Sequence, residues 1–222
     1  TLPHHPHESV AAGSAKGVDL LIGTNRDEMK LFAMLDQGDL DEAGLVVRLE
    51  AHREAHVAQR VVDVYRDARA RRGEAVDPKD LWTAIETDRF FRAPATSFAA
   101  GHAATGSSTF AYDFCWSSPM EMLGAAHAIE LPFVFGTLDA PMIDLFAGSG
   151  PEAERLSELV RNAWSAFAHT GDPSTEDLGP WPRFDDVSRQ TMVLGPDCFT
   201  ERGPRGDELA CWETIEMAAE SG

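Results

Sequence analysis

Two segments of the chain carry side chains that can do acid–base chemistry. Asp27 and Glu28 lie in a polar stretch, residues 24–28, that follows the short apolar run of residues 18–23, and His127 stands among small residues. Imidazole is the side chain best suited to proton transfer near neutral pH, and a carboxylate can hold it in one orientation. The sequence therefore pairs a candidate base, His127, with a candidate orienting acid.

Both segments also have a purely structural explanation. An acidic residue after a strand stabilises the first turn of the next helix by about 0.3–1 kcal/mol through the helix dipole. A single histidine in an apolar segment is commonly a buried core residue whose ring nitrogens are hydrogen-bonded. The local pattern leaves the functional and the structural alternatives open at Glu28 and at His127.

The remaining motifs predict neither a nucleophile nor a metal site. A nucleophilic serine on a strand–helix elbow needs the pattern Gly-x-Ser-x-Gly, and no such pentapeptide occurs in the 222 residues. His4, His5 and His7 belong to a Pro-rich, extended lead-in with no second ligand cluster. His52 and His56 lie four apart on a predicted helix, but Arg stands where a zinc-protease helix has Glu. We therefore predict no metal and no organic cofactor.

Composition narrows the class of partner. The chain has 19 Lys and Arg against 37 Asp and Glu, a net charge of −18, and such a surface repels phosphate backbones and anionic lipids. Nucleic acid and membrane surfaces are therefore not expected as partners, and no stretch reaches the ~18 apolar residues of a membrane helix. The three cysteines are far apart with no Cys-x-x-Cys pair, which predicts no disulfide framework and favours a reducing, cytoplasmic location.

The elements that must position these residues follow an α/β pattern. Strands are predicted at Val18–Gly23, with both faces covered, at Thr109–Trp116 and at Thr191–Leu194. Pro94 is expected to interrupt a helix. The predicted helices have apolar positions from Val57 to Ala68, from Leu81 to Phe90 and from Leu156 to Ala168, and a last helix covers Asp207–Ala219. A few strands among many helices predict an incomplete sheet.

The acid and histidine segments resemble those of one enzyme family. Residues Leu20–Glu28, with Phe32 after them, resemble the acid-bearing segment of type-B carboxylesterases, the α/β-hydrolase family of para-nitrobenzyl esterases and cholinesterases. Residues His127–Gly136 are similar to the histidine segment of the same family. Five shorter matches keep the family order: Phe114-x-Trp116, Trp164–Pro173, Trp181-Pro182, Thr191–Val193 and Cys211-Trp212. Together the matches span nearly the whole chain.

The resemblance implies a fold, a reaction and a set of site residues. It implies that Glu28 is the acid and His127 the general base of a Ser-His-Glu triad, with Phe32 and Trp116 lining the substrate pocket. The implied substrate is a small-molecule carboxylic ester, cleaved through an acyl-serine intermediate. Residues 1–222 would then be the C-terminal segment of a single α/β-hydrolase catalytic domain, since the family's serine and its oxyanion turn lie in the N-terminal part.

The sequence departs from the family pattern at three positions. Met29 follows the triad acid, where the family usually has Gly. Leu31 stands where members that bind choline place an aromatic residue, which disfavours a quaternary-ammonium site based on cation–π contact. Cys211 is similar to a cysteine that secreted members pair in a disulfide, but residues 90–103 contain no cysteine, which again favours an intracellular protein.

Two other functions stay open at the level of sequence. A relative that had lost its triad would serve as a binding or adhesion module, and a fragment without its serine would be inactive. The presence of both Glu28 and His127 favours the enzyme. Because the chain starts at Thr1 rather than at Met, we expect a piece of a longer polypeptide, whose cut sheet pairs with the N-terminal part of the enzyme or with another copy of itself.

Overall fold

The computed structural model describes residues 4–36, 38–51 and 54–220. In chain order the elements are α1 (Pro6–Ala11), β1 (Leu20–Asn25), α2 (Met29–Ala33), α3 (Glu42–Glu50), α4 (Ala55–Arg72), α5 (Pro78–Thr87), a π-helical turn (Asp88–Arg92), α6 (Ala93–Ala104), β2 (Thr109–Phe114), α7 (Leu131–Phe135), α8 (Ile143–Ala147), α9 (Pro151–Thr170), β3 (Gln190–Leu194), β4 (Phe199–Arg202) and α10 (Gly206–Glu220). Among the described residues, no helix is both long and apolar enough to span a bilayer.

The four described strands form one sheet in the order β1-β2-β3-β4. β1, β2 and β3 are parallel, and β4 returns antiparallel to β3. Leu20 lies opposite Thr109 and Asn25 opposite Phe114, so that β1 and β2 end side by side. The predicted α/β class is confirmed. β4 was not predicted, because its four residues are largely exposed and lack the apolar pattern of a buried strand.

Helices cover both faces of the sheet. On one face, Phe110 and Phe114 of β2 pack with the α7 and α9 side of the molecule in the main core, whereas Ala111 on the opposite face packs against Ala99 of α6. A separate helical core joins α3, α4, α5 and α10; its largest buried side chains are Leu45, Leu49, Val61, Val62, Tyr65, Leu81, Ile85 and Trp212. The active-site candidates lie where the sheet meets this helical part.

Most of the predicted helices are present. α4 ends at Gly73, which adopts a left-handed φ of 72°, as the positive charges before it and the glycine itself predict. Asp77 caps α5 by accepting hydrogen bonds from the N–H groups of Lys79 and Asp80. α9 contains the predicted apolar positions and ends at Gly171.

Two predictions near the N-terminus were wrong in detail. The lead-in is not extended throughout, because Pro6 starts the short helix α1, where its fixed φ suits a first turn. β1 begins at Leu20 rather than at Val18 and is only half-buried over most of its length. It lies first in the strand order and pairs only with β2 among the described residues. Its other edge therefore has no neighbouring strand, and the strand is less buried than its apolar sequence suggests.

Pro94 does not interrupt its helix, contrary to the prediction. α5, the π turn and α6 form one continuous helical run from Pro78 to Ala104. The N–H of Ala93 donates to the carbonyl of Asp88, five residues back. In an α-helix the ring of Pro94 would clash with a carbonyl of the preceding turn, and the wider π turn gives it room.

Gly23 allows β1 and β2 to pack closely. It lies opposite Tyr112 in the register, and a Cβ at Gly23 would come within 2.4 Å of both the Tyr112 ring and its carbonyl oxygen. The absence of a side chain therefore lets the Tyr112 ring lie beside β1, where it also contacts Trp164 at a centroid distance of 5.2 Å.

We expect Gly23→Ala to lower the free energy of unfolding by about 1–3 kcal/mol, the usual cost of overpacking. Gly206→Ala is the matched control, because a Cβ there meets no atom within 4 Å, and stability should stay within about 0.5 kcal/mol. Urea denaturation followed by circular dichroism measures both variants. Equal stability of the two would contradict the close packing of Tyr112 on Gly23.

Candidate active site

The first component of the site is the acid turn, residues 26–28, which directly follows β1. Glu28 has a right-handed helical backbone (φ −43°, ψ −48°) and leads into α2. Met29, where the family pattern has Gly, starts that helix with an ordinary helical backbone, and its N–H donates to Oγ1 of Thr87 at 3.0 Å. Methionine therefore fits at this position without a left-handed backbone.

The second component is the histidine loop, residues 117–127, which follows β2. Because β1 and β2 are parallel and in register, both segments leave the sheet at the same edge. Hydrogen bonds join them along their length: Asp27 N–H to Ala125 O at 2.9 Å, Ala125 N–H to Asp27 Oδ2 at 2.9 Å, Asn25 Nδ2 to Ala126 O at 2.9 Å, and His127 N–H to Glu28 O at 3.4 Å.

Gly124 makes this close approach possible. Its φ of 54° lies in the left-handed region, and a Cβ there would come within 2.5 Å of Oδ2 of Asp27. Any larger residue would therefore push the carboxylate of Asp27 away from the histidine loop, besides adopting a strained backbone.

The structure brings Glu28 and His127 into direct contact across 99 residues of sequence. Oε2 of Glu28 lies 2.7 Å from Nδ1 of His127, and Oε1 accepts the N–H of Asn25 at 2.8 Å. Glu28 is 5% exposed, so both carboxylate oxygens have hydrogen-bond partners although the group is buried. The contact predicted from the order of acid and histidine is confirmed.

Asp27 and Glu28 have different electrostatic surroundings. Burial is the largest influence on Glu28 and raises its pKa, although the hydrogen bonds from Asn25 and His127 oppose this in part. Burial alone would also raise the pKa of Asp27, but Arg26, Lys30 and the N–H of Ala125 hold it below its usual value. Asp27 is thus a stable anion that links backbone segments, whereas Glu28 is the carboxylate that faces the imidazole.

The imidazole of His127 is arranged to exchange a proton through its outer nitrogen. A carboxylate only accepts hydrogen bonds, so Nδ1 carries a proton and Nε2 is left as the basic nitrogen. The side chain of His127 is 43% exposed. Chemically, this is a general base whose inner nitrogen is held and whose outer nitrogen is accessible.

Two aromatic rings contact the imidazole. The rings of Phe32 and Phe91 each lie 5.3 Å from the His127 ring, and 6.4 Å from one another. Phe32 is one of the pocket residues that the family resemblance implies, and 42% of it is exposed. Trp116, the other, packs against Phe133 at 5.4 Å and donates its indole N–H to Ala147 at 2.7 Å; its place in a substrate pocket stays a prediction.

The other histidines that the structure describes contact different parts of the chain. His5 precedes α1, and the ring of His7 contacts Phe98 at 5.3 Å. His52 lies outside the described residues, and His56 is exposed beside Glu54. Within the part of the chain that the structure describes, no three His, Cys, Asp or Glu side chains are grouped as metal ligands.

Three residues that contact the acid turn or His127 were missed by sequence reasoning. The side chain of Asn25 is buried between the histidine loop and Glu130; a polar residue at the end of an apolar strand was the available signal. Phe91 and Arg92 lie on the π turn, and their sequence surroundings read as an ordinary helix. No local sequence pattern distinguishes Phe91 and Arg92 from the residues of an ordinary helix.

Comparison with known proteins identifies relatives along nearly the whole chain. The sequence model of the carboxylesterase family matches residues 1–212. Para-nitrobenzyl esterase of Bacillus subtilis (strain 168) is 34% identical over 211 residues, which cover 94% of this chain and 40% of that protein. Phenmedipham hydrolase of Pseudarthrobacter oxydans is 31% identical over 208 residues, covering 89% and 39%. The chain spans about two fifths of the length of these relatives.

Solved structures that superpose on this chain are also esterases. Carboxylesterase EST55 of Geobacillus stearothermophilus, determined at pH 6.2, superposes with a TM-score of 0.80 at 32% identity, over 94% of this chain and 43% of that one. A PNB esterase superposes with a TM-score of 0.76 at 32% identity, over 95% and 41%. The chain therefore belongs to the carboxylesterase family, and its open four-stranded sheet with surrounding helices is part of an α/β-hydrolase fold.

Proposed function

We propose that this chain supplies the acid and the base of a Ser-His-Glu triad in an enzyme that hydrolyses small-molecule carboxylic esters. The observation that carries the proposal is the 2.7 Å contact between the buried carboxylate of Glu28 and the accessible imidazole of His127. Membership of the carboxylesterase family supports ester hydrolysis as the reaction, and a relative named para-nitrobenzyl esterase agrees with it.

In the acylation step, Nε2 of His127 takes the proton from a serine hydroxyl while the serine oxygen attacks the ester carbonyl. The imidazolium that forms is stabilised by Glu28, whose buried carboxylate interacts strongly because the surroundings exclude water. The tetrahedral intermediate then expels the alcohol, which takes the proton back from Nε2. An acyl-serine is left.

Deacylation repeats the same proton transfers with water in place of serine. His127 removes a proton from water as the water oxygen attacks the acyl carbonyl, and it returns the proton to the serine oxygen as the acid leaves. Glu28 keeps Nδ1 protonated in both halves, so that Nε2 remains the nitrogen that exchanges protons. No cofactor is needed for these steps.

The nucleophile and the oxyanion-binding groups are assigned to an upstream part of the same polypeptide. The 222 residues contain no Gly-x-Ser-x-Gly, and in α/β hydrolases the serine precedes the acid and the histidine in the chain. Residues 1–222 would be the C-terminal segment of one catalytic domain. The coding sequence before Thr1 tests this directly: an elbow pentapeptide there supports the enzyme, and its absence favours a non-catalytic binding module.

Phe32 is proposed as a wall of the ester pocket. Its ring is partly exposed and lies beside the imidazole, so a substrate whose carbonyl reached Nε2 of His127 would meet it. Trp116 is proposed for the same pocket on the family resemblance alone.

An unpaired strand edge and several exposed apolar side chains favour a protein partner. β1 has a free outer edge among the described strands, and the apolar side chains of Val18, Phe135, Met142 and Leu145 are between 59% and 74% exposed. Unpaired strand edges and apolar patches are sites of association. The N-terminal part of the same enzyme is the proposed occupant, and self-association takes its place in the isolated chain.

The isolated 222-residue chain should not react with a fluorophosphonate at any of its serines. Its serines lack an elbow, and an imidazole without a neighbouring nucleophile supplies no acyl-serine chemistry. Activity-based labelling followed by mass spectrometry measures this, with a complete carboxylesterase as the positive control. A serine of this chain that became phosphonylated would refute the assignment of the nucleophile to an upstream part.

In the complete enzyme, Glu28→Gln should lower kcat by about 10⁴-fold, because an amide no longer holds the imidazole in the required tautomer. KM should change far less, since the acid acts in the transition state rather than in substrate binding. Glu121→Gln, at an exposed carboxylate of the same histidine loop, is the matched control and should keep wild-type rates. Hydrolysis of a chromogenic aryl ester measures both. A Glu28→Gln enzyme with wild-type kcat would exclude Glu28 as the triad acid.

The isolated chain should form discrete oligomers that grow as salt is added. The net charge of −18 opposes association, and the screening length falls from about 10 Å at 0.1 M salt to about 3 Å at 1 M. Light scattering at these two concentrations measures the effect. Val18→Lys, which places a charge beside the open edge, should reduce association. A chain that stays monomeric at both salt concentrations would show that the free edge of β1 and the exposed apolar side chains need no partner.

A further inference from the structure

The π turn contacts the backbone on both sides of Glu28. Nη2 of Arg92 donates to the carbonyl of Arg26 at 2.8 Å and to that of Asn25 at 3.4 Å, just before the acid. Immediately after Glu28, the N–H of Met29 donates to Thr87, the residue before the π turn, at 3.0 Å. The acid turn is thus held at both of its ends by one segment of helix.

The same turn also contacts the histidine. The ring of Phe91 lies 5.3 Å from the His127 imidazole at an interplanar angle of 47°. In an α-helix, residues four apart line up, whereas the wider π turn brings residues five apart into line. The extra residue therefore lets Thr87 and Arg92, five apart, contact the backbone on either side of Glu28 while Phe91 contacts the histidine.

Arg92 is itself fixed in place. Its side chain is 8% exposed and forms an ion pair with Asp88, which is 1% exposed, one turn earlier. Asp88 in turn accepts the hydroxyl of Tyr65 at 2.6 Å. A guanidinium that is buried and held by a carboxylate presents its remaining N–H groups in a rigid geometry, which a flexible ammonium does not reproduce.

We propose that the π turn is a positioning device for the acid–histidine pair. Arg92 fixes the backbone just before Glu28 and so the position of its carboxylate, and Phe91 restricts rotation of the His127 ring. Neither residue touches the reacting atoms; each acts through the residue that it contacts. The inference rests on the proposed function for its biological meaning, but the contact that it explains is a property of this chain alone.

The test uses NMR of the complete enzyme with ¹⁵N-labelled histidine, and His127→Gln assigns the signals. In the wild type, His127 should be a single Nδ1–H tautomer with a far-downfield Nδ1 proton resonance, because Glu28 holds that proton. Arg92→Lys and Phe91→Leu should each lose this resonance and show ring nitrogen shifts averaged between the two tautomers. A purely structural role would leave both signatures unchanged in the folded protein.

Two substitutions on the same turn serve as matched controls. Arg89→Lys changes a guanidinium that pairs with Glu86 instead of the acid turn, and Phe90→Leu changes a ring that is 54% exposed. Both should keep the wild-type His127 spectrum. Should Arg92→Lys fail to fold in urea titration, Asp88→Asn, which keeps Arg92 but removes the charge that fixes it, tests the Arg92 half by the same spectrum.

A folded Arg92→Lys or Phe91→Leu chain with the wild-type tautomer and resonance would overturn the corresponding half of the proposal. Loss of the signature in Arg89→Lys or Phe90→Leu would overturn its assignment to these two residues. Because the readout needs no ester hydrolysis, it separates this inference from the proposed function. A complete enzyme whose kcat does not depend on Glu28 would remove the triad and leave the positioning contacts standing.

Discussion

The parallel, in-register pairing of β1 with β2 is the constraint on which the whole site depends. It ends the two strands side by side, with Asn25 opposite Phe114, so that the segments that follow meet at one edge of the sheet. The hydrogen bonds between the acid turn and the histidine loop are then local contacts, although nearly a hundred residues separate the two in sequence. Gly23 and Gly124 serve this pairing, because side chains there would force the segments apart.

Buried ion pairs near the carboxyl ends of β1 and β2 restrain the backbone around the site. Asp113 of β2 accepts a hydrogen bond from Arg205 at 2.5 Å, and Arg92 pairs with Asp88. Burial alone would raise the pKa of Asp113, but Arg205 and Arg92 hold it below its usual value. Buried ions cost several kcal/mol each to desolvate, and loss of one partner leaves an uncompensated charge. Such a network tolerates little displacement, which suits a site whose carboxylate and imidazole must stay within hydrogen-bond distance.

Some apolar side chains of the chain are packed in its cores, and others are exposed at its surface. The main core buries Phe110, Phe114 and Phe133, and the helical core buries Tyr65 and Trp212. The outer edge of β1 has no strand beside it among the described residues, and Phe135 of α7 and Leu145 of α8 are exposed. The partly exposed imidazole of His127 lies at the end of the sheet from which the acid turn and the histidine loop both leave.

The sequence by itself predicted most of the elements, and the two side chains that meet, from local signals and the family resemblance. The α/β class, the strand before Glu28, the capped helix at Asp77 and the glycine stop at Gly171 all follow from apolar periodicity, capping and backbone preference. The order of acid and histidine, together with the family resemblance, was enough to select Glu28 and His127 from eight histidines and many carboxylates.

Only the tertiary structure decided how these residues are held. The π turn escaped prediction because its stability comes from contacts with a distant strand end, and Pro94 read as a helix breaker when no such contacts were known. The half-burial of β1 depends on which strand lies beside it, a non-local fact that an apolar run cannot encode. Asn25, Phe91 and Arg92 became site residues for the same reason: their partners are brought to them by strand pairing and helix packing, and not by spacing along the chain.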